Sequence, residues 1–323
     1  MVIYINQHDI YLYKDGFTLK GARQRGEEVI FERPLFQVDD LVILGNAIIT
    51  PALLKHCVRE KVGIHYLNQD GGYVANVGRG LSKNMPLRLE QYRAYENQTE
   101  RLKLAKAFLQ GKFRNSIVFL RRSGFSELGK FSSLLERLPN MSDLEALRGL
   151  EGIFSKEYFA ALGSLLPPEF EFNERSRRPP KDRANSMLSF AYTLLAKETE
   201  SALSVAGLDP YLGYLHEVHY GRASLATDLM EELRPILADA LVLSLVRRGE
   251  IKPDDFNCEG EYPRLSDEAR GKFLAAWEQR LATRREHPMN KKRLPYRGLI
   301  LIQARLLANH LRGKRPYTPM VLR

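Results

Sequence analysis

The stretch Gly78-Arg79-Gly80-Leu81-Ser82-Lys83-Asn84-Met85-Pro86-Leu87-Arg88 separates two kinds of sequence in a chain of 323 residues. Before it, short β-branched and aromatic runs alternate with turn residues; after it, apolar residues recur at helical spacing. The stretch itself is punctuated by glycine and proline, the composition of a connection. The chain therefore reads as α+β: a small N-terminal β-rich domain over residues 1–80, a linker over 81–88, and a larger all-α C-terminal domain over 89–323. In the first part, Val2–Asn6, Tyr11–Lys14, Phe17–Lys20, Val29–Phe31 and Leu41–Leu44 are strand candidates. Asp15-Gly16 is a two-residue hairpin signal, because the pair tolerates the positive φ of a type I′ turn. Thr50-Pro51 opens a helix that Gly63 ends, and Ile64–Leu67 and Tyr73–Val77 flank a turn at Gln69–Gly72. In the second part, helical patterns cover Leu89–Gln110, Ser116–Arg137, Ser142–Leu166, Arg183–Ala206, Ser224–Arg248 (broken by Pro235), Leu265–Arg285 and Tyr296–Leu311. The loop 167–183 has four prolines and mixed charge, and is expected to be mobile.

No apolar run reaches the length of a membrane span, and the N-terminus lacks the parts of a signal peptide. Two cysteines, Cys57 and Cys258, are too few for a disulfide framework or a structural zinc site, so the expected location is cytoplasmic with reduced thiols. The net charge of +10 has one source. Residues 1–85 carry 10 Lys+Arg against 9 Asp+Glu, residues 86–283 carry 28 against 29, and residues 284–323 carry 11 against Glu286 alone. A cation excess concentrated in one segment favours a polyanionic partner. A disordered solubilising tail would show the same charge. The stripe Leu299, Ile300, Leu301, Ile302, Leu306, Leu307 and Leu311 argues instead that part of the segment packs. Arg284, Arg285, Lys291, Lys292, Arg293 and Arg297 are the dense cluster expected to meet phosphates.

Three local patterns could carry chemistry. One is Arg148-Gly149-Leu150-Glu151-Gly152, where a glycine inside a helix is unhelpful unless something approaches closely. The second is Gly213-Tyr214-Leu215-His216, followed by the helix opening Ser224 to Pro235. There Asp228, Glu231 and Glu232 stand at i, i+3 and i+4, on one helical face. Three carboxylates on one face are either solvated surface or neutralised by a cation. A histidine a short turn earlier brings the metal reading level with the surface one. His216 and His219 lack the i, i+4 spacing of zinc proteases, so Mg²⁺ or Mn²⁺ fits the donors better. A hydrogen-bonded structural histidine is the plain alternative. The third pattern is Asp182 with Asn185, by default a helix N-cap region and otherwise a DNA-backbone contact or support for a site.

These patterns together resemble the CRISPR-associated endonuclease and integrase family of spacer acquisition, Cas-one, over essentially the whole chain. The family's R-x-x-E-G matches Arg148–Gly152, its glycine–aromatic–aliphatic–histidine matches Gly213–His216, and its S-L-x-x-D-L-x-E-x-x-R-P matches Ser224–Pro235. The resemblance implies that Glu151, His216 and Glu231 hold the metal and carry catalysis, with Asp228, Glu232 and Asn185 in support. It implies an integrase that inserts foreign double-stranded DNA as new spacers into a CRISPR array, with a Cas-two homodimer as partner. The chain itself would be a homodimer paired through its β domain. The turn Glu217–Ala223 is longer than in many members, and some members have aspartate in place of Glu231. A DNA-binding scaffold with a degenerate site and a stand-alone nuclease of branched DNA are the alternatives.

Overall fold

The computed structural model describes all residues except 8, 25, 61, 69–72, 78–83, 178, 258–261, 290, 322 and 323. The chain forms two compact units, Met1–Gly80 and Leu81–Arg323.

In the first unit, β1 (Val2–Ile5), β5 (Asp40–Ile43), β7 (Gly63–Leu67) and β8 (Tyr73–Val77) make one sheet in the order β1-β5-β7-β8. A second sheet runs β4-β3-β2-β6, from β2 (Ile10–Asp15), β3 (Thr18–Ala22), β4 (Val29–Pro34) and β6 (Ala47–Ile49). Ile5, Leu41, Ile43 and Ile64 of the first sheet share one core with Ile10, Leu12 and Leu19 of the second. Leu53 and Cys57 of α1 (Pro51–Glu60) complete that core. Thr50 starts α1, its hydroxyl accepting from Leu53 N at 3.4 Å. The first hairpin turns one residue later than expected. Asp15 pairs with Thr18, so Gly16 and Phe17 are its central residues. Only Gly16 has positive φ, +54°, the requirement of a type II′ turn and not of the type I′ turn Asp15-Gly16 would form. The turn at Gln69–Gly72 and residues 81–83 of the linker lie outside the described residues.

The second unit is built on helices. They are α2 (Met85–Glu96), α3 (Gln98–Arg122), α4 (Gly129–Arg137), α5 (Leu144–Leu165), α6 (Arg183–Ala206), α7 (Ser224–Met230), α8 (Ala240–Arg247), α9 (Asp267–Ala282) and α10 (Tyr296–Leu311). α2 begins inside the expected linker, with Pro86 in its first turn, where a missing N–H costs nothing. The helices start where side chains can cap them: Asn97, Asp143, Asp182 and Ser266 each accept from the backbone N–H three residues on. The unit is not wholly helical. β9 (Phe256–Asn257) pairs with β10 (Arg264–Leu265), and β11 (Arg284–Glu286) pairs with β12 (Arg293–Pro295). The helix expected to reach Arg285 ends at Ala282, and the basic residues after it lie on the second hairpin. The apolar stripe of α10 is packed, with Leu299, Ile300, Leu307 and Leu311 buried.

Pro235 decides the geometry of the site. Without an N–H it cannot continue the α-helical ladder, and after α7 the chain passes through a turn into a wider π-helical turn, Pro235–Asp239, before α8. The loop 167–183 is less free than its composition suggested. Phe170 is buried, and Asn185 accepts from Ser176 N (3.1 Å) and donates to Glu174 O (2.7 Å). Among the described residues, no helix is long and apolar enough to cross a membrane.

Candidate active site

Glu151 projects from α5, Glu231 from the turn after α7, and His216 from the loop before α7. Lys112 of α3 joins the two glutamates. Its ammonium donates to Glu151 Oε1, lies 3.0 Å from Glu231 Oε2, and donates to Ser155 Oγ at 3.0 Å. Ser155 in turn donates to Glu151 Oε1 at 2.7 Å. His216 Nε2 is 3.9 Å from Glu231 Oε1, and Arg234 Nη1 is 2.9 Å from the same oxygen. Burial opposes ionisation of both glutamates. Lys112 outweighs it at Glu151, whose carboxyl falls to about 2. Arg234, Lys112 and His216 outweigh it at Glu231 and hold that carboxyl below its usual range. The Lys112 ammonium is likewise opposed by burial and held charged by Glu231 and Glu151.

His216 is held from behind. Asp228, fully buried, accepts from the backbone N–H groups of Leu215 (2.9 Å) and His216 (3.0 Å), from Tyr214 N, and lies 2.6 Å from His216 Nδ1. An acceptor at that distance makes Nδ1 a donor nitrogen and turns Nε2 toward Glu231. The close approach needs Gly213: a Cβ there would lie 2.7 Å from Ser224 Cβ and 3.0 Å from Asp228 Oδ2. Arg148 secures the same loop, donating to Leu215 O at 2.7 and 2.9 Å and pairing with Glu217, which Arg101 also meets at 3.3 Å. So the arginine of the R-x-x-E pattern sets the histidine loop while the glutamate faces the cluster. Gly152 is different from its expectation, since a Cβ there would meet open space.

Two supporting residues stand elsewhere. Asp228 and Glu231 both meet His216, whereas Glu232 does not, and all three are buried. Glu232 turns away, accepting from Gln303 Nε2 (2.7 Å) and Met320 N (3.2 Å). Burial pushes its carboxyl up to about 8 against these hydrogen bonds. It anchors the C-terminal segment and does not face the cluster. Asn185 organises residues 174–176, accepting also from Arg175 Nη1 at 2.7 Å, and Asp182 is the N-cap its default reading gave it. In the basic cluster, Arg284, Arg285, Lys291, Lys292 and Arg293 are exposed on the β11–β12 hairpin. Arg297 is not available in the same way. Its guanidinium grips Glu198 (2.8 and 2.9 Å) and Glu278 (2.7 and 3.2 Å), tying α10 to α6 and α9.

Sequence reasoning missed Lys112 and Ser155, and it gave no role to Arg234, the arginine that ends the Ser224–Pro235 motif. Lys112 reaches glutamates on two other elements, far along the chain, which no local pattern displays. Among the described residues, no group of three His, Cys, Asp or Glu is gathered closely enough to hold a metal ion. The glutamates are drawn onto an ammonium instead. The donor set nevertheless suits a hard divalent ion: two ionised carboxylates and an oriented imidazole, without thiolates. Glu231 Oε2 is buried with the Lys112 ammonium as its charge partner at 3.0 Å, the place a divalent ion would take over.

A unit of paired sheets with a helical unit that encloses a carboxylate–imidazole cluster defines a known class of DNA-processing enzyme. Residues 3–279 match the model of CRISPR associated protein Cas1, and the chain belongs to that family. It is 54% identical over 323 residues to the CRISPR-associated endonuclease Cas1 3 of Thermus thermophilus, covering 100% of this chain and 97% of the relative. A casposase bound to its integration product superposes with TM-score 0.88 at 25% identity, over 98% of this chain and 92% of that one. A CAS1 protein from Thermotoga maritima gives TM-score 0.86 at 28% identity, over 98% and 99%. The chain is thus an endonuclease and integrase of CRISPR adaptation.

Proposed function

We propose that Glu151, His216 and Glu231 hold one or two Mg²⁺ or Mn²⁺ ions and that the enzyme joins captured double-stranded DNA to a CRISPR repeat. The observation that carries this is His216, held at Nδ1 by buried Asp228 so that Nε2 faces Glu231. A bound ion would polarise the phosphodiester and offset charge on the attacking and leaving oxygens. This chain's residues keep that arrangement ready. Lys112 and Arg234 hold the glutamates ionised, Asp228 holds the imidazole, and Arg148 holds the loop. With water as attacker the outcome is cleavage. With the 3′-hydroxyl of a captured fragment as attacker, a new P–O bond forms as the bond to the repeat strand's leaving oxygen breaks, which is integration.

The basic hairpin supplies phosphate contacts that position DNA without reading bases. The β-rich unit carries the dimer contact. Phe17 and Phe36 are 84% and 83% exposed, and Leu35 N donates to Phe17 O at 2.8 Å, which brings the two rings to one end of the unit. A second copy of the chain would cover that exposed apolar surface. A Cas2 homodimer is the further partner and the cytoplasm the location.

Strand transfer onto repeat-containing DNA, with and without Cas2, tests this reading. Alanine at Glu151, His216 or Glu231 should abolish transfer and cleavage with the fold intact, and the triple variant should be scarcely worse than a single one, because the residues act as a unit. EDTA should remove activity and Mn²⁺ or Mg²⁺ restore it. Full transfer in EDTA would overturn the metal role, DNA binding without any transfer would favour a scaffold, and Cas2-independent cleavage of branched DNA alone would favour a stand-alone nuclease.

A further inference from the structure

Asp239 is fully buried and accepts from two phenols, Tyr158 Oη at 2.6 Å and Tyr192 Oη at 2.7 Å. The group lies behind the glutamate–lysine cluster, and one arginine joins the two. The Arg234 guanidinium carbon is 4.8 Å from the centroid of the Tyr192 ring, and its Nη1 is 2.9 Å from Glu231 Oε1. Arg234 Nε is buried without a hydrogen bond, so the guanidinium is not held by acceptors alone. A cation over an aromatic face is attracted by the ring, and more strongly where water is excluded. A phenol that donates to a carboxylate is richer in electrons, which strengthens that attraction.

Arg234 and Asp239 reach one ring because of the π-helical turn between them. In an α-helix, residues five apart point about 140° away from each other. The turn Pro235–Asp239 widens the ladder toward bonds five residues apart, and both Arg234 and Asp239 meet Tyr192 of α6. On α6, Asn185, Ser189 and Tyr192 stand at i, i+4 and i+7, along one face. Arg175 lies along that face, donating to Asn185 Oδ1 (2.7 Å) and Ser189 Oγ (3.1 Å) with its guanidinium carbon 5.3 Å from the Tyr192 centroid. Its contacts fix residues 174–176, whereas those of Arg234 reach Glu231. A buried phenol–carboxylate group can serve packing alone. Arg234, placed between this one and Glu231, gives it a route to the chemistry.

We propose that Tyr192 is a positioning residue for DNA joining, whose ring, oriented by Asp239, holds Arg234 against Glu231. The proposal rests on the reading of Glu151, His216 and Glu231 as the reacting centre. The oxygen that Arg234 meets, Oε1, is the one that His216 Nε2 faces at 3.9 Å. A carboxylate free to rotate there would lose its alignment with the imidazole, and groups that orient such donors matter nearly as much as the donors.

The test is a double-mutant cycle between Tyr192 and Arg234, read as strand transfer onto repeat-containing DNA in Mn²⁺. Tyr192→Leu should lower kcat about tenfold with KM for DNA within about twofold, the scale of a buried cation–π contact. Tyr192→Phe keeps the ring and loses only the hydroxyl that Asp239 orients, so it should lose about threefold. In an Arg234→Gln background neither change should cost anything further, because residues that act through one another are not additive. A packing role predicts the full loss in both backgrounds. Metal-free crystals of Tyr192→Leu supply a readout independent of activity, and should show Arg234 withdrawn from Glu231 Oε1. If the leucine variant does not fold, Tyr192→Phe carries both the cycle and the crystal structure. Additive losses, an unchanged kcat, or Arg234 still seated on Glu231 without the ring would overturn the proposal. Glu151→Ala serves as the control: transfer at the wild-type rate there would overturn the reading of the reacting centre, and the proposal with it.

Discussion

Replacing Lys112 by methionine keeps the aliphatic stem and removes the ammonium between Glu151 and Glu231. At 3.0 Å from Glu231 Oε2, one such pair is worth about 5 kcal/mol at an effective dielectric of about 20. Removing one partner of a buried pair costs about 3–5 kcal/mol when measured directly, because the remaining charge is stranded. Here two carboxylates are stranded, so a loss of about 3 kcal/mol is a floor. For a unit of this size, each kcal/mol moves the melting temperature by roughly 2–4 °C, so Lys112→Met should melt about 6–12 °C lower in EDTA. Saturating Mn²⁺ should recover most of that loss, because a divalent ion can take the ammonium's place between the carboxylates. The variant should also bind Mn²⁺ more tightly than the wild type, by calorimetry, since the ion no longer competes with a resident charge. The pH dependence has a definite sign. Glu151, ordinarily 4.5 and held at about 2, contributes stability above pH 4.5 that is lost as pH falls toward 2. Lys112→Met should show a shallower acid loss over that window. An equal drop in melting temperature with and without Mn²⁺, or no drop at all, would refute the resident-cation role.

Asp228→Asn should turn an NH₂ group against backbone donors and release His216, weakening Mn²⁺ binding by roughly 10–100-fold in calorimetry. Glu232→Gln addresses a carboxyl raised to about 8, which the folded state holds protonated. Wild-type stability should fall as pH rises from 4.5 through about 8, and the glutamine variant should lack that fall in thermal melts across the same range. Arg297→Ala should lower stability by about 2 kcal/mol as Glu198 and Glu278 are left without its guanidinium. It should leave the salt dependence of DNA binding unchanged. Glutamine at Arg284, Arg285, Lys291, Lys292 and Arg293 should instead flatten the log–log slope in salt titrations, by roughly 0.9 for each duplex phosphate no longer neutralised.

The β-to-α change at the connecting stretch was legible because period-two and helical spacing differ over short windows. Element ends followed where caps are explicit, as at Asp143 and Asp182. The first hairpin slipped by a residue because Asp15-Gly16 and Gly16-Phe17 both place glycine in a turn, and strand pairing alone chooses between them. Glu151, His216 and Glu231 were singled out through motif resemblance, and the fold places Glu231 beside His216 and joins it to Glu151 through Lys112. Their surroundings were not legible. Glu232 looked like its neighbour in sequence, but successive residues of a helical turn point about 100° apart, and only the fold brings Gln303 and Met320 to it. Arg297 looked like its basic neighbours in sequence, and only the fold brings Glu198 and Glu278 to it. Lys112 carried no local signal, because a lysine's burial depends on partners supplied far along the chain.

Convergence of Glu151, His216 and Glu231 on a divalent ion is tested most directly by anomalous diffraction from crystals soaked in Mn²⁺. One or two anomalous peaks are expected, bonded to His216 Nε2 and to carboxylate oxygens of Glu151 and Glu231, with the Lys112 ammonium displaced from between them. A fully occupied peak elsewhere in the helical unit, with Lys112 still bridging the glutamates, would contradict that convergence.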